Sequence, residues 1–504
     1  MTEQHTAPRQ VRSAGPTSLL GAPLQVVSVG LGSFAEPFVH YSVPIGQVDW
    51  QPPFGGDPEI ARLLAELAND RPGTVGGRVT AANATAIERI LTAHPVLVGV
   101  GTAAKVLTRA SGTTAGAPLP ERTLLHSGPP IEWTRMCGPM QGAVLGAILL
   151  EGWATDLAAA AHLAASGQIH FAPCHHYRAV GPMAGVISPS MPVWLVRNES
   201  AGNLAFATFN EGLGKVLRYG ANGPEVLTRL RWITRTLAPA IAATIERHGP
   251  VDLGALTAQA LHMGDECHNR NVAATSLLAR TLAPALVRAV SSGVAGEVLD
   301  FLLDNNHFYL NLSMAACKAT LDAARDVPDS TVVVAMARNG VDFGIQTSGT
   351  GDEWFIAPST VPDALFFPGY GPTDANPDLG DSAITETCGL GGFAMAAAPA
   401  IVRFVGGTTR DALGYSREMA TITLARNPNY ALPPLDFAGT PTGIDVRRVV
   451  ETRVAPVINT GVAHREPGVG QIGAGITRAP LACFVAALRA LGDRIGGVQW
   501  SKPR

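Results

Sequence analysis

The sequence has little charge and few aromatic side chains. Charged residues make up 15% of its 504 positions, and 37 Lys and Arg residues nearly balance 40 Asp and Glu residues, giving a net charge of −3. Proteins that bind nucleic acid or an anionic membrane through charge carry a basic surface, which this balance does not provide. Aromatic residues reach only 6%, which weakens any surface for stacking bases. The composition therefore argues against nucleic-acid and membrane-surface binding.

Cysteines and long hydrophobic runs are also scarce. The six cysteines are scattered and form no CxxC pair, a pattern typical of reduced thiols in a cytosolic protein. The N-terminus is polar and lacks the apolar core of a signal peptide. The longest apolar runs, at 143–150 and 393–402, are too short to span a membrane. Because HExxH and paired CxxC spacings are absent too, we expect a cytoplasmic protein without a metal or other cofactor.

What the chain does contain is strand and helix patterns that predict a multidomain α/β and α+β protein. Residues 1–20 have the composition of a disordered lead. A buried-strand pattern then ends in the glycine turn Gly30-Leu-Gly32, which is how a doubly wound domain begins, although the turn has only two of the three glycines of a dinucleotide-binding motif. The predicted divisions are a small α/β domain at 21–125, an α/β domain at 126–225, a mostly helical domain at 226–325, an α/β domain at 326–490 and a tail at 491–504.

The densest group of chemically active side chains is the stretch LHMGDECHNRNVAATS (261–276). On a helix, His262, Asp265 and Asn269 would lie on one polar stripe. His268 follows Asp265 by three residues, close enough for that carboxylate to orient its imidazole. Alternatively, Asp265 caps the start of a helix and His262 lies in the preceding turn. Because perturbed titratable groups gather at functional sites, the stretch predicts a site.

Two further polar groups are candidates. Cys174-His175-His176 is predicted to lie in a loop, and adjacent residues of an extended chain point to opposite faces, so the two histidines would not easily bind one metal. The alternative is one buried and one exposed histidine without a functional role. Lys215 and Arg218 follow a glycine-containing turn and would suit a phosphate or carboxylate. A helix start with surface cations accounts for them equally well.

Polar residues also follow a predicted buried strand at 330–336. Arg338, Asn339 and Asp342 come just after it, and α/β folds place ligands at the ends of strands. The loop at 369–387 contains several aspartates but lacks the EF-hand spacing, and Asx turns explain most such residues. The three residues after the strand are therefore the candidates here.

Long and unusual strings of this sequence occur together in one known protein family. They are VDWQPP (48–53), PCHH (173–176), GPMAGVISPSMPV (181–193), NEGLGKVLRYGA (210–221), HMGDECHNRN (262–271), MARNGVDFGI (336–345), GDSAITETCGLGGFAMAAAPA (380–400), GTPTGID (439–445) and NTGVAHREPGVGQIGAG (459–475). In these strings the chain resembles the AllG/YlbE-like family, over residues from about 25 to about 490. The resemblance implies a Rossmann-like N-terminal domain, a helical domain and two further α+β portions.

The same resemblance implies an activity. The family is associated with the oxamate carbamoyltransferase of anaerobic allantoin breakdown in purine catabolism, which converts oxalurate and phosphate to oxamate and carbamoyl phosphate. The implied partners are FdrA-like and AllH-like subunits and, for this chain, further copies of itself. Two other classes stay open: a non-catalytic organising subunit, and a metal-dependent amidohydrolase acting on a ureido compound. A covalent mechanism through Cys174 or Cys267 is a further alternative.

Carbamoyl transfer requires an imidazole that moves a proton and donors that hold anions and a developing oxyanion. We therefore expect His262 or His268 to be the general acid or base, oriented by Asp265. His175 and His176 would reach the same cleft from a facing domain. The expected substrate-binding residues are Asn269, Arg270, Asn271, Arg338, Asn339, Asp342, Lys215 and Arg218.

Overall fold

The structure is a computed structural model that describes residues 26–48, 53–111 and 114–496. The chain divides into two compact units at the boundary between Ala61 and Arg62. The predicted domain boundaries near 125, 225 and 325 stay predictions. The predicted lead lies outside the described residues.

The described part of the first unit is a strand–helix–strand arrangement. Its elements are β1 (Val26–Val29), α1 (Glu36–His40) and β2 (Ile45–Val48). The two strands are parallel over their whole length. Gly30 has a φ of 99° and turns the chain out of β1, so the predicted strand and glycine turn are confirmed, whereas the predicted burial is wrong because Val27 and Val29 are exposed. The next helix, α2 (Pro58–Ala68), contains the boundary between the units.

The second unit alternates short strands with helices. Its strands are β3 (Pro95–Thr102), β4 (Thr108–Ser111), β5 (Thr114–Pro118), β6 (Thr123–His126), β7 (His170–Pro173), β8 (Ala179–Val180), β9 (Pro192–Asn198), β10 (Leu204–Thr208), β11 (Val251–Asp252), β12 (Val333–Asn339), β13 (Asp342–Thr347), β14 (Phe355–Pro358), β15 (Asp363–Phe366), β16 (Leu379–Gly380), β17 (Thr423–Leu432), β18 (Ala438–Ile444), β19 (Val457–Ala463) and β20 (Gln471–Arg478). Its further α-helices are α3 (Val75–Leu91), α4 (Ala103–Val106), α5 (Gly138–Leu150), α6 (Leu157–Ala165), α7 (Pro224–Trp232), α8 (Ala238–His248), α9 (Leu253–His262), α10 (Val272–Ala289), α11 (Ser292–Asp304), α12 (Leu310–Asp322), α13 (Ile384–Thr387), α14 (Val402–Val405), α15 (Thr409–Met419), α16 (Val446–Thr452) and α17 (Leu481–Gly496). The start of the predicted tail is thus the end of α17.

The strands of the second unit form several small, mostly antiparallel sheets. The largest has the order β11-β3-β9-β10-β8, and β3 is antiparallel to both of its neighbours. A four-stranded sheet, β14-β13-β12-β16, and a three-stranded sheet, β15-β20-β19, come next in size. Because β3 belongs to the first of these sheets, the strands predicted within 21–125 do not form a single sheet, and the Rossmann-like domain is not confirmed. The architecture is mixed α/β with several small sheets.

The helical portion predicted at 226–325 is confirmed. It contains α7 to α12 and a π-helical turn at Ile233–Leu237. Every residue of α12 from Leu310 to Leu321 is buried, and this helix packs against β9 and β10. Among the described helices, only α10 is long and apolar enough to cross a membrane, and half of it is buried. The helical portion therefore forms much of the hydrophobic core beneath the candidate site.

Candidate functional site

Residues 263–271 form a loop between α9 and α10, not the helix that the polar stripe requires. Gly264 and Cys267 have positive φ angles of 94° and 62°, which turn the chain out of the helical path. Asp265 accepts a hydrogen bond from the main-chain N–H of Ala274, in the first turn of α10, at 2.9 Å. The predicted stripe is therefore wrong. The alternative, in which Asp265 is the N-cap residue of the helix, is wrong in position, because the N-cap of α10 is Asn271 and His262 belongs to α9, although Asp265 does accept an N–H of the first turn.

The two histidines predicted to be the general acid or base have different surroundings. His262 ends α9, is exposed, and packs edge-on against Phe437 with ring centroids 6.0 Å apart. His268 is only 3% exposed, and its Nδ1 lies 2.8 Å from Oε1 of Glu386. The carboxylate that orients His268 is thus 118 residues further along the chain, and the prediction of Asp265 in that role is wrong.

Glu386 lies on α13, is fully buried, and accepts several hydrogen bonds. Its Oε1 also accepts the main-chain N–H groups of Gly392 at 2.9 Å and Asn459 at 3.3 Å, while Oε2 accepts the Thr385 hydroxyl at 3.0 Å. All these groups donate, so both carboxylate oxygens of Glu386 act as hydrogen-bond acceptors. The proton of neutral His268 then resides on Nδ1, and Nε2, which has no hydrogen-bond partner in the described chain, is left as an acceptor.

The neighbours of this pair keep it in position. An added Cβ on Gly391, whose φ is 54°, would lie 3.1 Å from Cβ of His268 and in steric conflict with the Glu386 carboxylate. On the other side, Glu266 accepts the main-chain N–H groups of His268 and Arg270, both at 2.7 Å. Burial raises the pKa of Glu266 to about 7, although the charge of His268 opposes this shift. The glycine and the second carboxylate therefore enclose the imidazole tightly.

Several amide groups of this region lack partners. Nδ2 of Asn269, Oδ1 of Asn271 and both side-chain amide atoms of Asn459 are buried and make no hydrogen bond. The other amide atom of Asn271, Nδ2, donates to the main-chain oxygen of His268 at 2.5 Å. Buried polar groups in proteins are nearly always bonded, so a group of unpartnered amides indicates a place where a ligand supplies the missing bonds.

Two of the candidate arginines have N–H groups that make no hydrogen bond. The side chain of Arg270 is 41% exposed, and its Nε lies 3.4 Å from a carboxylate oxygen of Asp265. Arg218 is 6% exposed; it donates to the Gly212 carbonyl at 2.7 Å, while its Nε has no partner. Lys215, predicted to act with Arg218, is exposed and lines a different groove. The two cations therefore do not form one anion site.

His307 connects Arg218 electrostatically with the histidine pair. Burial, with smaller contributions from the charges of Arg218 and His268, lowers the pKa of His307 to about 3. Arg218 and Asn311 border a small cavity with room for about one water molecule. Segments 210–218 and 262–271, both part of the family-like strings, each contact α12: Asn210 donates to Asn311 at 2.9 Å, and Ser313 donates to the Cys267 carbonyl at 2.8 Å.

His175 and His176 lie on a 3₁₀ turn in the interior. Nε2 of His175 is 3.5 Å from a carboxylate oxygen of Asp381, and its ring stacks edge-on against Trp354. His176 accepts a hydrogen bond from the Trp354 indole at 3.1 Å. Burial lowers the pKa of His175 and takes that of His176 to about 4, which favours neutral imidazoles. Their contacts are with Asp381 and Trp354, so an entry into the cleft of His268 stays a prediction.

The cysteine candidates are poor nucleophiles. Cys174 and Cys267 are fully buried, and burial raises the pKa of each thiol well above its usual range, which disfavours the reactive thiolate. The thiol of Cys174 donates to the Gly185 carbonyl at 3.2 Å. Within residues 26–48, 53–111 and 114–496, no three His, Cys, Asp or Glu side chains are grouped so that they could hold a metal ion.

Arg338 is fully buried and its donors are all bonded. Its Nε and one terminal nitrogen pair with Asp378 at 2.8 and 3.0 Å, and the same terminal nitrogen donates to the Thr460 hydroxyl at 3.1 Å. The other terminal nitrogen donates to the Gly380 carbonyl at 2.9 Å. No donor is left for a substrate anion, so the predicted anion-binding role of Arg338 is wrong.

The side chains of Asn339 and Asp342 also bond to other groups of the protein. The amide of Asn339 donates to the Pro129 carbonyl at 3.0 Å and accepts the main-chain N–H of Asp342 at 2.7 Å. The Asp342 carboxylate pairs with Arg135 at 2.9 Å. The Asn339 side chain therefore stabilises the turn after β12 and the Asp342 carboxylate is paired with Arg135, and these contacts contradict their predicted part in substrate binding.

The prediction missed the segment that links these groups, residues 378–387. Asp378 holds the buried arginine of β12, Asp381 accepts two main-chain N–H groups, and Glu386 orients the histidine. The aspartates had been interpreted as turn residues. One signal was available for Glu386, which is the only charged residue between Asp381 and Arg403.

Comparisons with known proteins agree on one family. A profile described as "Oxamate carbamoyltransferase subunit AllG" matches residues 169–382. The protein of that name from Escherichia coli K12 is 49% identical over 421 residues, which are 83% of this chain and 99% of that protein. "Uncharacterized protein YahG" of the same organism is 46% identical over 480 residues, 95% of this chain and 99% of the relative.

A solved structure has the same fold. The crystal structure of a conserved protein of unknown function from Enterococcus faecalis V583 superposes with a TM-score of 0.80 at 49% identity, covering 84% of this chain and all of that one. The family resemblance of the sequence strings is thereby confirmed. The chain belongs to the AllG family.

Proposed function

We propose that this chain is a subunit of a carbamoyltransferase of the oxamate type and supplies its proton-transfer site. The name of the AllG relative supports the type of reaction. The observation that carries the site is the pair of His268 and Glu386, a buried imidazole that is oriented through Nδ1 and unbonded at Nε2. The reaction joins oxamate and carbamoyl phosphate to give oxalurate and phosphate, or runs in reverse.

The proposed step assigns each atom a destination. The amide nitrogen of oxamate attacks the carbamoyl carbon, a C–N bond forms, and the C–O bond to phosphate breaks with its electron pair leaving on the phosphate. Nε2 of His268 takes the proton that the nitrogen loses and returns it to the phosphate or to solvent. The Glu386 carboxylate stabilises the imidazolium formed in between. Proton transfer of this kind contributes about 10²–10⁴-fold to rates.

The unpartnered donors suit the rest of the substrate. Nδ2 of Asn269 can donate to the oxygen that gains charge at the carbamoyl carbon. The free atom of Asn271 is an oxygen, so this residue can accept an N–H of the substrate. Arg218 and Arg270 are the cations for the carboxylate and the phosphate.

The partner subunits, the pathway and the cellular location are part of the same proposal. The partners are FdrA-like and AllH-like subunits, and the pathway is nitrogen release from allantoin in the cytoplasm. The word "subunit" in the name of the AllG relative supports assembly with other proteins.

A second candidate is a non-catalytic organising subunit. The observation that favours it is burial: His268 is 3% exposed, and the cavity beside Arg218 is too small for a substrate without an opening movement. In this case the partner subunits carry the chemistry and this chain binds them.

One experiment separates the two candidates. The purified chain is incubated with carbamoyl phosphate and oxamate, with and without FdrA-like and AllH-like subunits, and phosphate release is followed. The wild-type assembly and one containing His268→Ala are compared after their subunit composition has been shown to be equal. Loss of at least about 10²-fold in rate supports the proposal. Near-normal rate with His268→Ala assigns the chemistry to the partners.

A further inference from the structure

Asn459 is a buried asparagine whose side chain makes no hydrogen bond. It lies on β19, is fully buried, and its main-chain N–H donates to Glu386 at 3.3 Å, so its side chain starts beside the His268 pair. Neither Oδ1 nor Nδ2 has a partner. The next residue, Thr460, is just as buried, but its hydroxyl bonds Asp378 at 2.9 Å. Unlike Thr460, Asn459 therefore has a side chain with unused hydrogen-bonding capacity.

Other buried asparagines of the chain show what a structural amide looks like. The side chain of Asn83 is 3% exposed and donates to the Thr331 hydroxyl at 2.8 Å. Its oxygen accepts the Ser330 hydroxyl at 3.0 Å and the main-chain N–H of Thr331 at 2.8 Å. Burying an amide without such bonds is strongly unfavourable. An unbonded asparagine is retained where a ligand completes its bonds.

We propose that Asn459 is a specificity-determining residue that binds the carboxamide group of the substrate through a pair of hydrogen bonds, one donated and one accepted. The inference rests on the proposed function and adds a residue that the sequence analysis did not include. An asparagine amide presents an N–H donor and a carbonyl acceptor side by side. The complementary group is a planar amide that presents the same two atoms in opposite order.

This pairing predicts discrimination between oxamate and oxalate, which differ by an amide in place of a carboxylate. A carboxylate has two acceptors, so one of its oxygens would face Oδ1 of Asn459 with no proton between them. Sites that hydrogen-bond a substrate N–H or O–H strongly reject analogues lacking it. We expect oxamate to bind at least about tenfold more tightly than oxalate to the full assembly.

The test uses Asn459→Leu, which keeps the approximate volume and removes both amide atoms. Because no bond within the protein is lost, we expect an unchanged or raised melting temperature together with oxamate binding weakened at least about tenfold in calorimetric titration. Asn83→Leu is the matched control, and we expect it to lower the melting temperature and leave oxamate affinity unchanged. Asn459→Ala repeats the test without the branched side chain if Asn459→Leu does not fold.

Three results would overturn the inference. They are wild-type binding without preference for oxamate over oxalate, unchanged oxamate affinity in both Asn459 variants, and a fall in melting temperature for both variants as large as that of Asn83→Leu. The titrations contain no carbamoyl phosphate and measure no turnover. They can therefore fail while His268→Ala still abolishes phosphate release, and they can succeed if this chain binds the substrate and a partner performs the transfer.

Discussion

The substitution Glu386→Gln removes one charge from the centre of the proposed site and almost nothing else. The N–H groups of His268, Gly392 and Asn459 all point at Oε1, where the carbonyl oxygen of glutamine can replace it. The new NH₂ group then faces the Thr385 hydroxyl, which can accept. The geometry of the pair should therefore survive.

The expected effects on stability and on turnover differ sharply in size. A hydrogen bond to a charged group contributes about 1.5–3 kcal/mol and a neutral one about 0.5–1.5 kcal/mol, so losing the charge should lower the free energy of unfolding by about 1–2 kcal/mol. Turnover should fall further, by about 10²–10⁴-fold, because the imidazolium of His268 forms without a carboxylate beside it. A modest stability loss with a large rate loss is the predicted signature.

Phosphate release from carbamoyl phosphate and oxamate, measured with the partner subunits present, gives the rate, and urea unfolding gives the stability. Asp445→Asn is the matched control. Asp445 is also fully buried, and it accepts the Thr331 hydroxyl and pairs with Arg447. The Asp445→Asn variant should be less stable than the wild type, and its rate of phosphate release per folded molecule should be unchanged. If Glu386→Gln slows turnover less than about tenfold, Glu386 does not assist proton transfer and the reasoning fails.

Gly391→Ala places a methyl group against Glu386 at a residue with a positive φ. We expect phosphate release to slow about 10²-fold, because small displacements of reacting groups have effects of that size. A wild-type rate would show that the His268–Glu386 pair tolerates the shift. Arg338→Lys leaves Asp378 poorly paired, so the free energy of unfolding measured in urea should fall by about 3–5 kcal/mol. The KM for carbamoyl phosphate should not change. A raised KM would show that Arg338 binds the substrate anion after all. The pKa of His307 in the folded protein, about 3, lies below the value of 6.5 for an exposed histidine, so the unfolded chain takes up a proton first and stability is lost as pH falls from 6.5 towards 3. Between pH 6.5 and pH 5 the free energy of unfolding should fall by at most about 2 kcal/mol on this account, and by less where solvent screens the imidazole. In urea unfolding, His307→Leu should lose correspondingly less stability over this pH range than the wild type. Identical pH profiles would contradict the burial argument.

Local patterns in the sequence were sufficient for most helices and strands. The mostly helical stretch predicted at 226–325 corresponds to α7 to α12, and the apolar run at 330–336 lies largely in the buried strand β12. These elements are encoded by apolar periodicity and turn residues within a short window. Sheet membership is different, because strand pairing depends on residues far apart in the chain. That is why the sequence does not reveal that β3 pairs with β9 and β11.

The candidate site shows the same limit at the level of single side chains. A dense polar stretch was visible at 262–271, but nothing in it reveals that His268 is held by Glu386 and that Asp265 accepts an N–H of the first turn of α10. The positive φ of Cys267, a residue type without a strong preference for that conformation, turned a predicted helix into a loop. Both outcomes are set by tertiary contacts. The density of polar residues indicates where a site lies, whereas the hydrogen-bond partners of each side chain determine what that side chain does.

Hydrogen-bond saturation, not residue type, separates the structural from the available groups in this chain. Arg338 and Arg218 are both buried arginines, yet the first has every donor bonded and the second has a free Nε. Three residues with atoms free to bind a ligand are Arg218, His268 and Asn459, which lie far apart in the sequence, and His268 and Asn459 both contact the Glu386 carboxylate. A ligand that satisfies all three must offer an anionic oxygen, a proton to transfer and a planar amide, and oxamate carries all of these on six heavy atoms.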